Sequence, residues 1–236
     1  MSTTVLAALA TAGALGVTHA VEPDHVAGIS SVTGEYGDSR LSALAGACFS
    51  LGHVALVVAW LAVAAVVLGE TEFPPVYDAA GTVGAGLVLG ILGAGMALGG
   101  LRTVVRTDEH DHGDVTHSHP HVRWPLLGDD HAHGVVAYLK TGLVGALFTL
   151  SPPVSMLAFA AALLPDYGAS VVALAVVAYA VTITATMSLL GAGAGALFGL
   201  LRDRGRTVHG AARIVAGVAI TTLAGSLLLD AGGAVL

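Results

Sequence analysis

Apolar residues in this chain come in long, unbroken blocks, with neither the alternation of a half-buried strand nor the one-sided stripe of a surface helix. The blocks run over Val5–Val32, Leu41–Leu68, Ala79–Val105, Val135–Leu164, Ser170–Leu201 and Val208–Leu229. Each exceeds the roughly 18 apolar residues that a bilayer-crossing helix needs. The pattern predicts an all-α polytopic membrane protein with six transmembrane helices. The first helix should be broken near Pro23 and the fourth at Pro152-Pro153, because proline lacks the N–H of the helical ladder and its ring clashes with the preceding turn. A polar segment, Arg106–Gly134, separates two sets of three. The expected organisation is a single transmembrane domain over 1–236: a first repeat at 1–105, a His/Asp-rich cytoplasmic loop at 106–134 and a second repeat at 135–236. Gly13-Ala-Leu-Gly-Val-Thr-His-Ala-Val-Glu-Pro-Asp24 aligns with Gly145-Ala-Leu-Phe-Thr-Leu-Ser-Pro-Pro153, each in the first span of its half. Three spans per half turn the second half upside down, which makes a 3+3 inverted repeat. Paired broken helices in such a repeat point to a site at the bilayer midplane.

Composition agrees with this class: 55% of the 236 residues are hydrophobic and 11% charged, where about 25% charged is usual for a soluble domain. The 32 glycines suit close helix packing in lipid. A net charge of −7 argues against nucleic acid as a partner and leaves membrane lipid and a small cation. The single cysteine, Cys48, excludes an internal disulfide and a Cys-pair relay. The N-terminus lacks a basic region and its first apolar run carries charge, so no cleaved signal peptide is expected. Arg40, then Arg102, Arg106, Arg123 and Lys140, then Arg202, Arg204, Arg206 and Arg213 follow spans one, three and five, whereas Glu70, Glu72, Asp78 and Asp166 follow spans two and four. The positive-inside bias makes the arginine-bearing loops cytoplasmic and puts both termini outside.

The first block contains His19-Ala-Val-Glu22-Pro23-Asp24-His25. Each carboxylate at the centre of a span costs about 2.5–3.5 kcal/mol, so such a cluster implies a bound cation, a proton path or a paired internal network. On a straight helix His19 and His25 would point about 240° apart and lie about 9 Å apart along the axis. A break at Pro23 lets both imidazoles and Asp24 converge. Span two adds Phe49-Ser50-Leu51-Gly52-His53. A lone histidine in an apolar helix is as readily a hydrogen-bonded core residue as a ligand, and here the neighbouring cluster favours the ligand. Imidazole with a little carboxylate suits nickel, cobalt, zinc or copper rather than magnesium or calcium. The candidate metal ligands are therefore His19, Asp24, His25 and His53. Glu22, Ser50 and Ser151 are candidates for orienting the ligands or carrying protons, Ser151 because it aligns with Glu22. The other second-half hydroxyls, Thr149, Ser155, Thr182, Thr184 and Thr186, are expected singly to back-bond to helix carbonyls.

Seven of the eleven histidines, His110, His112, His117, His119, His121, His131 and His133, fall in the middle segment among aspartates. Either this is a solvated linker of biased composition or it gathers metal ions at the cytoplasmic mouth. The gathering reading is preferred, and such a loop works best above the ordinary imidazole pKa of about 6.5.

At these residues the chain resembles the nickel/cobalt transporter family. His19-x4-Asp24-His25 is similar to that family's first signature, and Phe49–His53 to its second. The family's later signatures carry aspartates and a glutamate, but Leu147–Pro153 and Thr186–Leu190 stand in their approximate places without acids. Its usual eight spans exceed the six counted here. The chain thus looks like a shortened relative, similar also to nickel/cobalt efflux proteins and to the lysine-exporter-like superfamily of three-plus-three repeats.

The expected function is secondary transport of Ni²⁺ or Co²⁺ across the cell membrane, preferentially uptake, with the ion as cargo and no prosthetic group. Efflux by proton antiport is the alternative. A membrane metalloenzyme is a weaker one, because no His-Glu-x-x-His motif is present. Oligomeric state is left open.

Overall fold

The computed structural model describes residues 3–33, 37–63, 75–105, 135–147 and 154–235. Among these the chain is helical throughout, with no strand: α1 (Thr3–Ala20), α2 (Pro23–Thr33), α3 (Ser39–Val63), α4 (Pro75–Val105), α5 (Val135–Leu147), α6 (Val154–Asp203) and α7 (Arg206–Val235). Five stretches are long and apolar enough to cross a bilayer: Thr3–Ala20, Ser39–Val63, Ala79–Val105, Ser155–Asp203 and Arg206–Gly232. The Pro152-Pro153 break, Ser151 and the histidine-rich segment lie outside the described residues.

The first apolar block is divided, and its sequence explains how. Val21 and Glu22 donate their N–H groups back three residues, to the carbonyls of Thr18 and His19 at 3.3 and 3.2 Å, which tightens the last turn of α1. Pro23 then opens α2 at the first helical position, where a missing N–H costs nothing. The Glu22 carbonyl accepts the first bond of the new helix, from Val26 N–H at 3.0 Å. A second boundary is set by Asp38, whose Oδ1 accepts the N–H groups of Arg40 and Leu41, each at 2.9 Å, as a helix N-cap does. At about 1.5 Å per residue, the 50 residues of α6 would reach about 75 Å, more than twice the hydrocarbon core. They do not run straight: Gly168 has φ 72° and ψ 172°, a conformation that favours glycine, and Pro165 precedes it. The interruption falls where the hydropathy pattern separates Leu164 from Ser170.

Small residues set the helix pairs. Along α4 and α7, Gly86 faces Leu228 and Ala224, Gly93 faces Thr221 and Gly217, and Gly100 faces Gly210 and Ile214. The reversed order makes the pair antiparallel. α3 and α6 are also antiparallel: Gly191 lies on the Ser42 carbonyl, Gly46 on that of Met187, and Ser50 hydrogen-bonds Thr184 at 2.9 Å. α1 runs beside α6, Ala8 and Ala12 clustering with Leu163 and Ala175 while Gly16 meets Tyr179 and Ile183. Gly145 of α5 lies on the Phe49 carbonyl of α3. Phe49, Tyr179, Ile183 and Met187 fill the middle of this packing. Large apolar side chains outside it, such as Leu189 at 73% and Leu229 at 78% exposure, form a surface fit for lipid rather than water.

An added side chain at Gly93 would fall 2.7–2.9 Å from Thr221 and the Gly217 carbonyl, whereas Gly225 has nothing within 4 Å. Gly93→Val is expected to cost about 1–3 kcal/mol and to lower the melting temperature of the detergent-solubilised protein by several degrees. Gly225→Ala should leave it within error.

Candidate metal site

The break between α1 and α2 is the floor of a histidine cluster. His19 lies in the last turn of α1, His25 in the first turn of α2 and His53 in the middle of α3. Their ring centroids form a near-regular triangle: His19–His25 4.5 Å, His25–His53 4.8 Å and His19–His53 5.1 Å. One ligand-type nitrogen from each ring lies within 4.8 Å of the others. His25 and His53 are buried, and His19 is nearly so.

Two carboxylates hold the imidazoles from behind. Glu22 Oε2 is 3.0 Å from His19 Nδ1, and Asp24 Oδ1 is 3.0 Å from His25 Nδ1. Glu22 also reaches within 3.9 Å of His25 Nδ1. In the Asp24–His25 pair the Nδ1–H donates to the carboxylate, which leaves the His25 Nε2 lone pair facing away, while Glu22 stands within ion-pair distance of His19 Nδ1. Ligating histidines in metal sites are oriented by such partners. His19 Nε2 stands 3.2 Å from His53 Nε2. One ring donates its Nε2–H and the other accepts, according to their tautomers. The same separation fits two neighbouring ligands of one ion: at about 2.1 Å per bond, nitrogens so spaced subtend about 100° at the metal. The cluster can therefore be closed either by a proton or by a cation.

Each expected residue has a definite position. His19, His25 and His53 come together. Asp24 groups with Glu22 and His25 rather than with the three rings, because it is the sequence neighbour of His25 and its carboxylate is taken by that ring's Nδ1. Ser50 is buried one turn before His53, but its hydroxyl bonds Thr184 across the α3–α6 crossing. Thr182, Thr186 and Ser188 donate to the carbonyls of their own helix. Tyr179 on α6 was not anticipated. It is buried, and its ring centroid lies 6.2 Å from that of His19. A lone aromatic in an apolar span reads as core, and only its hydroxyl hints otherwise.

A multi-pass helical membrane protein with three imidazoles gathered at a broken helix, each of two backed by a carboxylate, has the parts of a membrane carrier for transition-metal ions. The comparison with protein families agrees. The profile of the NicO family, described as high-affinity nickel-transport protein, matches residues 5–137, and the chain belongs to that family. It is a transporter of nickel, not an enzyme. The matched stretch contains both carboxylates and all three clustered histidines. No curated protein and no solved structure gives a match.

The Asp24–His25 hydrogen bond sets the tautomer of His25. In the metal-free protein, ¹⁵N NMR of labelled histidine is expected to find His25 protonated at Nδ1. Asp24→Ala should shift His25 towards the Nε2–H form.

Proposed function

We propose that the chain takes up Ni²⁺, and Co²⁺ with it, as a secondary transporter, binding the ion through His19 Nε2, His25 Nε2 and His53. The observation that carries this reading is the triangle of imidazoles with Glu22 and Asp24 behind two of them. Neutral imidazole is the ligand that nickel and cobalt favour, and a carboxylate on Nδ1 raises the basicity of the metal-facing nitrogen. Asp24 acts in this reading as the group that fixes His25. When the ion binds, the proton between His19 Nε2 and His53 Nε2 shifts to the Nδ1 of its ring or leaves, and the His19–His53 hydrogen bond gives way to two metal bonds.

We read the chain as six spans in a three-plus-three inverted repeat, akin to the lysine-exporter-like superfamily. Gly168 splits α6, so α5 with the first part of α6 forms the fourth span, the remainder forms the fifth and α7 the sixth. The pairing of helices supports this. The third spans of the halves, α4 and α7, pair with each other. The second spans, α3 and the later part of α6, do the same. α1 lies on α6 as α5 lies on α3, each through a glycine. The halves would rock about the histidines, with both termini outside and the 106–134 segment gathering ions on the cytoplasmic side. The inside-negative potential draws in a divalent cation by about 4.6 kcal/mol per 100 mV, so uptake needs no other energy source.

Radiolabelled nickel flux in cells and proteoliposomes tests this. Uptake should fall at least about tenfold in His25→Ala and in His53→Ala, and apparent affinity should fall about 10–100-fold in Asp24→Asn. Deletion of 108–133 should slow accumulation without abolishing it. Faster loss of preloaded nickel, dependent on a proton gradient, would establish export in place of uptake.

A further inference from the structure

The three imidazoles all belong to the first half of the chain, yet a buried phenol from the second half stands beside them. Tyr179 is 1% exposed, and its Oη has no hydrogen-bond partner among the described residues. Its ring lies 6.2 Å from His19. The ring is fixed from its own backbone: an added side chain at Gly16, one turn before His19, would collide with the Tyr179 carbonyl and the Thr182 hydroxyl. The α1–α6 crossing thus keeps Tyr179 in register with His19. A buried hydroxyl is costly to leave unsatisfied, and packing does not require it. At the matching crossing, where Gly145 lies on the Phe49 carbonyl, the fully buried ring is a phenylalanine.

We propose that Tyr179 hydrogen-bonds a water molecule carried by the ion at His19, His25 and His53, and that through this bond the second half selects ions that keep part of their hydration shell. The inference rests on the three-histidine reading of the site. Three imidazoles leave room for further ligands. Zn²⁺ has no geometric preference from its d electrons and settles in four-coordinate tetrahedral sites. Ni²⁺ and Co²⁺ take more than four ligands readily when the additional donors are oxygens held in place. A hydroxyl that holds such a water favours the second group over the first. Tyr179 is then a positioning residue, acting on the ion through its water and not as a ligand.

The test uses the purified full chain in detergent with Ni²⁺, Co²⁺ and Zn²⁺ as probes. Tyr179→Phe is expected to weaken Ni²⁺ and Co²⁺ binding about tenfold and to change Zn²⁺ binding less than about twofold. Its Co²⁺ visible bands should intensify as the ion drops towards four-coordination, and its metal-free melting temperature should match that of the wild type. Equal Ni²⁺ to Zn²⁺ preference and an unchanged Co²⁺ spectrum in the variant would overturn the proposal. The wild-type spectrum is an independent check: weak bands of a five- or six-coordinate ion are expected, and intense tetrahedral bands would overturn it even if the variant failed to fold. His25→Ala separates the two readings. If it binds the ions as the wild type does, the histidine site itself fails; if it loses them while Tyr179→Phe does not, only the role of Tyr179 fails.

Discussion

Everything at the site depends on the loss of one hydrogen-bonding group. Pro23 has no N–H to give the carbonyl of His19, and the chain answers by closing α1 with two bonds that reach back three residues, from Val21 and Glu22, and starting afresh. The ring centroids of His19 and His25, which a straight helix would hold about 9 Å apart along its axis, stand 4.5 Å apart. The same break exposes the ends of two helices to one another. The C-terminus of α1, the negative end of its dipole, carries His19; the N-terminus of α2, the positive end, carries Asp24 and stabilises its charge. An interruption that would weaken an ordinary span thus assembles carboxylates and imidazoles inside an apolar bundle.

The third imidazole and the phenol arrive by packing. α3 brings His53 against the break, held to α6 by Gly46, Gly191 and the Ser50–Thr184 bond. α6 brings Tyr179 against α1 through Gly16. In lipid no hydrophobic force drives helices together, so close approach of small residues does much of that work. The site is therefore coupled to the crossings: a shift of α6 relative to α1 moves Tyr179 and the backbone beside His19 together. That coupling is what a carrier needs if its halves rock around a bound ion.

Much of this was legible along the chain because its causes are local. The interruption before Pro23 follows from one missing donor, and the division of α6 lies between two apolar blocks already separated at Pro165–Ala169. The meeting of His53 with His19 and His25 was an inference from chemical kind, since no periodicity reports distances between helices. Asp24 adjoins His25 in the sequence, and its Oδ1 accepts that ring's Nδ1–H, a contact that the spacing allows but does not dictate. Ser50 lies one turn before His53, and its hydroxyl bonds Thr184, because a hydroxyl's partner depends on which helix lies opposite. Tyr179 was passed over because one aromatic in an apolar run is usually packing. The histidine-rich segment and Ser151 lie outside the described residues and stay as the sequence left them.

The most direct test of the account is X-ray absorption at the nickel edge on the purified, nickel-loaded protein, comparing wild type with His53→Ala. Three imidazole nitrogens at about 2.1 Å in the wild type and two in the variant are the predicted result. A wild-type spectrum with fewer than three imidazoles, or one that the loss of His53 leaves unchanged, would contradict the claim that the broken helix and α3 bind the ion together.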